Sequence, residues 1–315
     1  MYQEVSQLLM YGDLEEDSIL RQMAELFGKY ETGEYNKTGL VRDINTQVKR
    51  ILKVATDYGF DDNLWHNYLT FFLMMSENPF SMTCEKVGAS EGSVNALVEN
   101  DFRIFKALFD YDFGPIERDL GINCFSQISN YKAIHKKDLM YNKNVSEKVR
   151  SLSKKLEAAK DEKEFFDAVT GFYKDYGVGM FGLNKAFRID DTPQGGFTFR
   201  AINNMDTVML DDLVGYEIQK KKLVDNTEAF VQGKKANNVL LFGDSGTGKS
   251  TSIKAIVNQY YKDGLRMIEI YKHQFKYLSE IIADIKNRNY RFIIYMDDLS
   301  FEEFEIEYKL SLIHI

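Results

Sequence analysis

The sequence predicts an α/β fold for the C-terminal third of the chain, with a partial doubly wound parallel sheet, preceded by an all-α N-terminal domain. Beyond residue 205, strand-like apolar runs alternate with helical patterns, the order that builds right-handed crossovers and parallel strands. Before residue 185, apolar positions recur at helical spacing and period-two alternation is scarce. The length of 315 residues favours two domains.

The N-terminal domain is predicted to span residues 1–185 and to consist of helices. Six segments carry an apolar stripe with a period of about 3.6 residues, namely 13–30, 39–58, 62–76, 92–109, 145–159 and 162–176. Some begin at capping residues such as Ser146 or Asp161. Trp65 is expected in the core, and the isolated His66 and His135 are interpreted as packing or surface residues. No catalytic site is predicted in this domain.

The strongest functional signal lies in residues 238–251, which read NVLLFGDSGTGKST. They match G-x-x-x-x-G-K-[ST], a pattern expected by chance in only about 1% of chains of this length. Residues 239–242 are predicted to form a short buried strand before the loop. Apolar residues at i, i+3, i+4 and i+7 then predict a helix that stops at Gly264, with the stripe Ile253, Ile256, Val257 and Tyr260.

Each residue type in this loop suits a phosphate ligand. Gly243, Gly246 and Gly248 allow positive-φ conformations, so that backbone N–H groups point at phosphate oxygens. Lys249 supplies a charge for the β and γ phosphates, and the Ser250 hydroxyl is a candidate Mg²⁺ ligand. Both lie at the start of a helix, whose dipole favours an anion. The remaining predicted nucleotide contacts are Asp244, Ser245, Thr247 and Thr251.

A second apolar run, residues 292–296, is followed directly by Asp297 and Asp298. Such a run is typical of a strand buried on both faces of a parallel sheet, and ligands bind at the carboxyl ends of these strands. Asp297 is therefore predicted to hold Mg²⁺, directly or through water. Asp298 is predicted to orient or deprotonate the attacking water, as a catalytic residue beside Lys249.

One strand and one further helix are predicted between these two motifs. Residues 267–270 are predicted to form the strand. The helix that follows is expected to end near Arg288 and to bury the stripe Phe275, Leu278, Ile282 and Ile285.

Upstream of the loop lie the segment 210–219, LDDLVGYEIQ, and an amphipathic helix to about Gly233. Together with the phosphate loop and the paired acids, this block resembles the AAA+ ATPases. The motifs D-D-L-V-G-Y-E, N-T-E-A-F, N-N-V-L-L-F-G-D-S-G-T-G-K-S and D-D-L-S-F-E look more narrowly like a bacterial group of ATP-binding proteins, domain-of-unknown-function family 815. The resemblance covers roughly residues 205–309 and, more loosely, the helical region before them.

The resemblance implies ATP and Mg²⁺ as cofactors, with adenine contacts at Val214, Gly215 and Tyr216. The second acid of the pair is usually Glu in AAA+ proteins, whereas this chain has Asp298, as in the initiator and helicase-loader branch. A base at that position has a shorter reach. Glu302 or Glu303 is the alternative base, although a charged loop is the favoured interpretation of both.

A β-hairpin connector is predicted at residues 186–204, between the helical domain and a nucleotide-binding core at 205–315. Two extended runs there flank the turn residues 191–196, which include Pro193. A passive linker is the favoured role, and transmission of nucleotide state to the helices is the alternative.

The C-terminal end departs from the resemblance. AAA+ proteins continue after the acidic strand with a sensor strand, a further strand, an arginine finger and a helical lid, and the sequence after Lys309, LSLIHI, does not look like that continuation. We expect a truncated reading of a longer gene, which binds nucleotide but does not couple hydrolysis. Homo-oligomers are expected of the full-length form.

Composition and charge limit the classes of binding partner and the cellular location that the sequence predicts. The net charge of −8 comes from acids spread along the chain, which disfavours nonspecific binding to nucleic acid or anionic membranes. No signal peptide or membrane-spanning run is evident, and two cysteines without a metal-binding pattern are expected to be reduced, so a cytoplasmic location is predicted.

Three functions stay open from the sequence. The favoured one is an AAA+ type ATPase that acts on a macromolecular partner through its helical domain. The alternatives are a P-loop kinase of a small metabolite and a nucleotide-binding scaffold without turnover.

Overall fold

The computed structural model describes residues 1–89, 92–133, 142–203 and 205–296. The chain forms two compact units, one ending at Leu183 and the other beginning at Asn184. The first is helical, and the second is α/β with a mostly parallel sheet of four strands among its described residues.

The described part of the helical unit contains α1 to α11. Their bounds are α1 Tyr2–Val5, α2 Ile19–Thr32, α3 Lys37–Tyr58, α4 Leu64–Met75, α5 Pro79–Val87, α6 Ser93–Phe109, α7 Gly114–Leu120, α8 Cys124–Ser129, α9 Lys143–Ala158, α10 Glu162–Tyr176 and α11 Gly179–Leu183. The six predicted helices correspond to α2, α3, α4, α6, α9 and α10. They are confirmed, with ends that differ from the predicted ones by zero to six residues.

Buried polar groups of this unit are satisfied by neighbouring backbone. Asp101 on α6 is fully buried, and its carboxylate accepts the N–H groups of Leu9, Met10 and Tyr11 at 2.7–3.0 Å. Trp65 is buried as predicted and donates its indole N–H to the carbonyl of Leu108 at 2.8 Å. These contacts fix α6 against the N-terminal loop and against α4.

The second unit is built on a sheet with the strand order β2-β1-β3-β4. Its strands are β1 Ala186–Asp191, β2 Phe197–Ala201, β3 Leu265–Ile270 and β4 Arg291–Met296. β1 and β2 are antiparallel, whereas β1 with β3 and β3 with β4 are parallel. The α-helices are α12 Glu217–Val231, α13 Lys249–Tyr260 and α14 Leu278–Ile285, with 3₁₀ turns at Leu210–Asp212 and Lys272–Tyr277.

The hairpin predicted between the two domains forms from β1 and β2. The sequence assigned it to a connector, whereas the structure places β1 inside the sheet, in parallel register with β3 from Ala186 and Met267 onwards. Arg188 lies opposite Glu269 in that register, and their side chains form an ion pair at 2.8 Å. The hairpin thus extends the sheet of the second unit.

Two helical stripes were predicted in this unit. The α13 stripe is confirmed, since Ile253, Ile256, Val257 and Tyr260 are all buried. The stripe predicted over residues 275–285 is partly wrong: Ile285 is buried as predicted, but the other buried residues are Gln274, Tyr277 and Ile281. The segment begins as a six-residue 3₁₀ helix with about three residues per turn, so its buried face is rotated away from Phe275 and Leu278.

Two further sequence-based expectations concern membranes and thiols. In the described ranges no helix has the length and apolar character needed to cross a bilayer. Cys84 is buried and Cys124 is partly buried, and both are free thiols. Burial raises the pKa of the Cys84 thiol to about 11, which makes this thiol a poor nucleophile.

Candidate nucleotide-binding site

The glycine-rich loop has the backbone conformation that its sequence requires. Gly243, Gly246 and Gly248 have φ values of 141°, 81° and 80°. L-residues rarely adopt these values, and no heavy atom lies within 4 Å of a Cβ built at Gly246 or Gly248. The glycines therefore serve the backbone path, and the space beside Gly246 and Gly248 is open.

The Lys249 side chain folds back over this loop. Its ammonium group donates to the carbonyls of Gly243 at 2.9 Å and Asp244 at 2.7 Å. The Thr247 hydroxyl donates to the same Asp244 carbonyl at 2.9 Å. Residues 243–246 are exposed, and 247–250 are partly buried. The loop thus holds a positive charge beside a solvent-exposed stretch of backbone.

Helix α13 begins at the end of the loop. Gly248 is its N-cap residue, and Lys249, Ser250 and Thr251 occupy its first turn. The Ser252 hydroxyl donates to the Gly248 carbonyl at 2.8 Å. The N–H groups of a first turn have no partner within the helix, and the positive end of the helix dipole lies there. Backbone amides, dipole and ammonium group converge on one small region.

The prediction of a buried strand directly before the loop is wrong. Residues 239–242 form no strand, and Leu240 and Phe242 are 74% and 87% exposed. The start of the run is fastened to α12, because the Asn226 side chain makes two hydrogen bonds of 2.9 Å to the Asn237 backbone. Within the described ranges no strand pairs with the run, so its backbone groups have no sheet partner, and of its side chains Leu241 packs partly against the core.

The two acids predicted to act on the metal and on the attacking water follow β4 in the sequence. β4 ends at Met296, as predicted for the acidic strand. Asp297 and Asp298 follow it and lie outside the described residues, as do Glu302 and Glu303. Their roles stay predictions.

The predicted adenine contacts lie on an exposed turn between a buried anchor and α12. Val214 is 94% exposed and Tyr216 is 58% exposed, while Leu210 is buried in the core. Gly215 and Tyr216 both have left-handed backbone, with φ of 85° and 56°. Positive φ is uncommon for a non-glycine residue such as Tyr216. The turn therefore presents an aliphatic and an aromatic side chain to solvent.

Sequence reasoning missed the residue that fastens this segment to α13. The Asn258 side chain donates to the carbonyls of Asp206 at 2.7 Å and Val208 at 2.9 Å, and it accepts from the Lys185 ammonium at 3.2 Å. Lys254, one turn earlier, forms an ion pair with Asp206 at 2.7 Å. The only available signal was a polar residue directly after the buried Val257, which is also typical of a solvated helix face.

Burial shifts the pKa values of titratable groups around α13. Burial, followed by the nearby Arg266, lowers the pKa of Lys185. Arg266 is itself buried between the rings of Tyr261 and Tyr290, at 4.2 and 4.3 Å from their centroids. This cation–π stack lies at the start of β3, after α13, whereas the phosphate loop precedes α13.

Burial, and then the bond to Glu228, raises the pKa of Tyr260 to about 12. The Tyr260 hydroxyl donates to Glu228 at 2.9 Å, which ties α13 to α12. A group with this pKa stays protonated near neutrality, so the contact between the two helices is retained there.

Comparisons with known proteins place the detected family similarity in the second unit. A family described as "Protein of unknown function (DUF815)" matches residues 183–312. The chain is also similar to the replication factor C large subunit of Methanococcus vannielii, with 34% identity over 74 residues. That region is 24% of this chain and 15% of the relative's length. No solved structure matches. The family similarity therefore begins at the boundary between the units and covers the unit that holds the phosphate loop.

Proposed function

We propose that the second unit binds Mg²⁺-ATP on the loop 243–251 and that the protein is an AAA+ type ATPase. ATP hydrolysis would drive a conformational or assembly change on a macromolecular partner held by the helical unit. The observation that carries the proposal is the loop of three positive-φ glycines curving around the Lys249 ammonium at the N-terminus of α13.

The residues present fit a triphosphate. The open space beside Gly246 and Gly248 admits anionic oxygens close to the backbone. Lys249 needs only to exchange two carbonyl contacts for phosphate contacts, which are stronger because both partners are charged. The Gly215–Tyr216 turn offers an exposed aromatic face of the kind on which a purine stacks. Phosphate end and base end thus have chemically suitable surfaces in the same unit.

Mg²⁺ would be held by the Ser250 hydroxyl, in the first turn of α13, and by Asp297, directly after β4 in the sequence. Hydroxyl, carboxylate and phosphate oxygens are the ligands this ion prefers. When bound, it would neutralise charge on the β and γ phosphates. Lys249 would add a second positive charge, and Asp298 would orient the attacking water and accept its proton.

The comparisons support this proposal at a coarse level. The relative named replication factor C large subunit is an AAA+ ATPase, and the matched family covers the same unit. The chain spans 15% of that relative, so the relative's partners and assembly are not transferred. We also propose that the full-length protein forms an oligomer in which a second copy of the chain contacts the nucleotide.

Phosphate release by the full-length protein with Mg²⁺-ATP tests the proposal. We expect Lys249→Ala and Asp298→Asn each to lower the rate at least about tenfold, because each removes a charge that acts on the transferred phosphoryl group or the water. Lys262→Ala, at an exposed lysine just after α13, is the matched control and should leave the rate unchanged.

Equal rates in the parent and in both site variants would defeat the ATPase proposal. Tight ATP binding with no turnover would instead favour a scaffold. Phosphate consumption only after a metabolite is added would favour a kinase.

A further inference from the structure

We infer that Asn258 is a positioning residue for the base end of the nucleotide, because it fastens the segment that carries Val214–Tyr216 to the helix that carries the phosphate loop. The inference rests on the proposed function and assigns a role to a residue that no motif includes.

Both polar atoms of the Asn258 carboxamide take part in this contact. Both N–H donors are directed at main-chain carbonyls, those of Asp206 and Val208, and the oxygen accepts from Lys185. A carboxamide has two donors and one acceptor oxygen, and this arrangement determines which way the group is turned. The bonds are made to backbone, so they fix the path of the chain and do not depend on the side chains at 206 and 208.

The same helix connects the two ends of the site. Lys249 begins α13, and Asn258 lies nine residues later, roughly 13 Å along the axis at the usual helical rise. α13 is packed into the core through Ile253, Ile256 and Val257, which makes it a rigid spacer. Asn258 therefore sets where the base-binding segment runs relative to the phosphate loop.

The exposed turn depends on such anchors. Val214 and Tyr216 are mostly exposed, so packing does not hold them in place. The segment is held before the turn by Asn258, by the buried Leu210 and by Lys220 of α12, whose ammonium donates to the Leu213 carbonyl at 2.7 Å. The Lys254–Asp206 ion pair is solvent-exposed and contributes little. Asn258 is thus the main polar anchor on the α13 side.

The test compares two ligands on the full chain by calorimetry: Mg²⁺-ATP, which needs both ends of the site, and Mg²⁺-tripolyphosphate, which needs only the phosphate end. Asn258→Asp keeps the shape of the side chain but removes both donors and directs a carboxylate oxygen at two carbonyls. We expect Mg²⁺-ATP to bind about tenfold more weakly, the equivalent of one to two neutral hydrogen bonds. Tripolyphosphate should bind as tightly as to the parent.

Two further variants separate positioning from general damage. Lys220→Met removes the anchor that α12 provides and should give the same selective loss, of smaller size. Gln259→Ala changes the exposed neighbour on the same helix and should alter neither affinity. The tripolyphosphate affinity reports whether the loop and α13 are intact in each variant.

The outcomes are distinguishable. A parent chain that binds neither ligand refutes the proposed function, and this inference with it. A parent that binds Mg²⁺-ATP, with an Asn258→Asp variant that loses both ligands equally or loses neither, overturns the positioning role alone.

Discussion

His66 is a buried residue of the helical unit whose pKa is shifted by its surroundings. Its Nε2 lies 2.8 Å from the Phe109 carbonyl, so the neutral ring carries its proton there and donates it. Its Nδ1 is buried without a hydrogen-bond partner among the described residues, and the Glu157 carboxylate is 3.8 Å away. Burial lowers the pKa of His66, and the Phe109 bond and the acids Glu157 and Asp110 oppose it only in part.

This lowered pKa predicts a pH-dependent stability of the helical unit. The unfolded chain takes up the His66 proton at a higher pH than the folded chain, so stability is lost as the pH falls through the ordinary histidine range, about 6.5, towards the folded pKa. A one-proton difference gives a slope of up to about 1.4 kcal/mol per pH unit. His66→Gln keeps a donor for Phe109 without titrating, so we expect a shallower loss of stability below neutrality.

Trp65 provides the measurement for this prediction. It is the single tryptophan of the chain and is buried beside His66 in α4, so its fluorescence in urea reports the unfolding of this unit. Unfolding free energies of parent and variant are compared from pH 7 to 5. Parallel curves would show that His66 does not contribute to the acid sensitivity.

At the scale of elements, α13 depends on the conformation of its N-cap. Gly248 has φ of 80° there, whereas Gly92, the N-cap of α6, has an extended φ of −179°. A Cβ meets no atom within 4 Å at either position. The two glycines therefore differ in backbone strain and not in space.

Replacement of both glycines by alanine isolates this strain. Gly248→Ala should cost about 1–2 kcal/mol, because an L-residue is strained at positive φ, while Gly92→Ala should cost little. Hydrogen exchange followed by mass spectrometry measures it. We expect exchange in α13 to rise roughly tenfold in Gly248→Ala, and exchange in α6 to change little in Gly92→Ala. Similar effects in both helices would contradict the role of φ.

Elements with a long apolar stripe were the most predictable from the sequence. α3, α6 and α10 have one buried face over four turns or more, and a stripe of that length leaves little ambiguity. α5 was missed although Asn78 and Pro79 form a capped start, since nine residues give too short a stripe. The prediction for residues 239–242 was wrong because an apolar run is typical of a buried strand, but the run itself does not show whether a neighbouring strand is there to pair with it.

For the whole molecule, the sequence indicated the two-part organisation and the phosphate loop. Gly243, Gly246 and Gly248 were predictable because positive φ selects glycine, and Lys249 because the motif fixes its spacing. The place of β1 in the sheet was not predictable, and neither was the contact of Asn258 with residues 206 and 208. Both join segments about 50 to 80 residues apart, and local periodicity carries no information about such pairings.

The central claim is that the loop before α13 is a ready-made anion cradle for Mg²⁺-ATP. Calorimetric titration of the folded full chain with Mg²⁺-ATP tests it most directly, with Lys249→Ala as the site variant and Lys262→Ala as the surface control. We predict saturable heat from the parent and the control, and binding at least about tenfold weaker in Lys249→Ala, which loses a charge-assisted phosphate contact. No heat from the parent at millimolar Mg²⁺-ATP, or equal affinity in Lys249→Ala, would contradict the account.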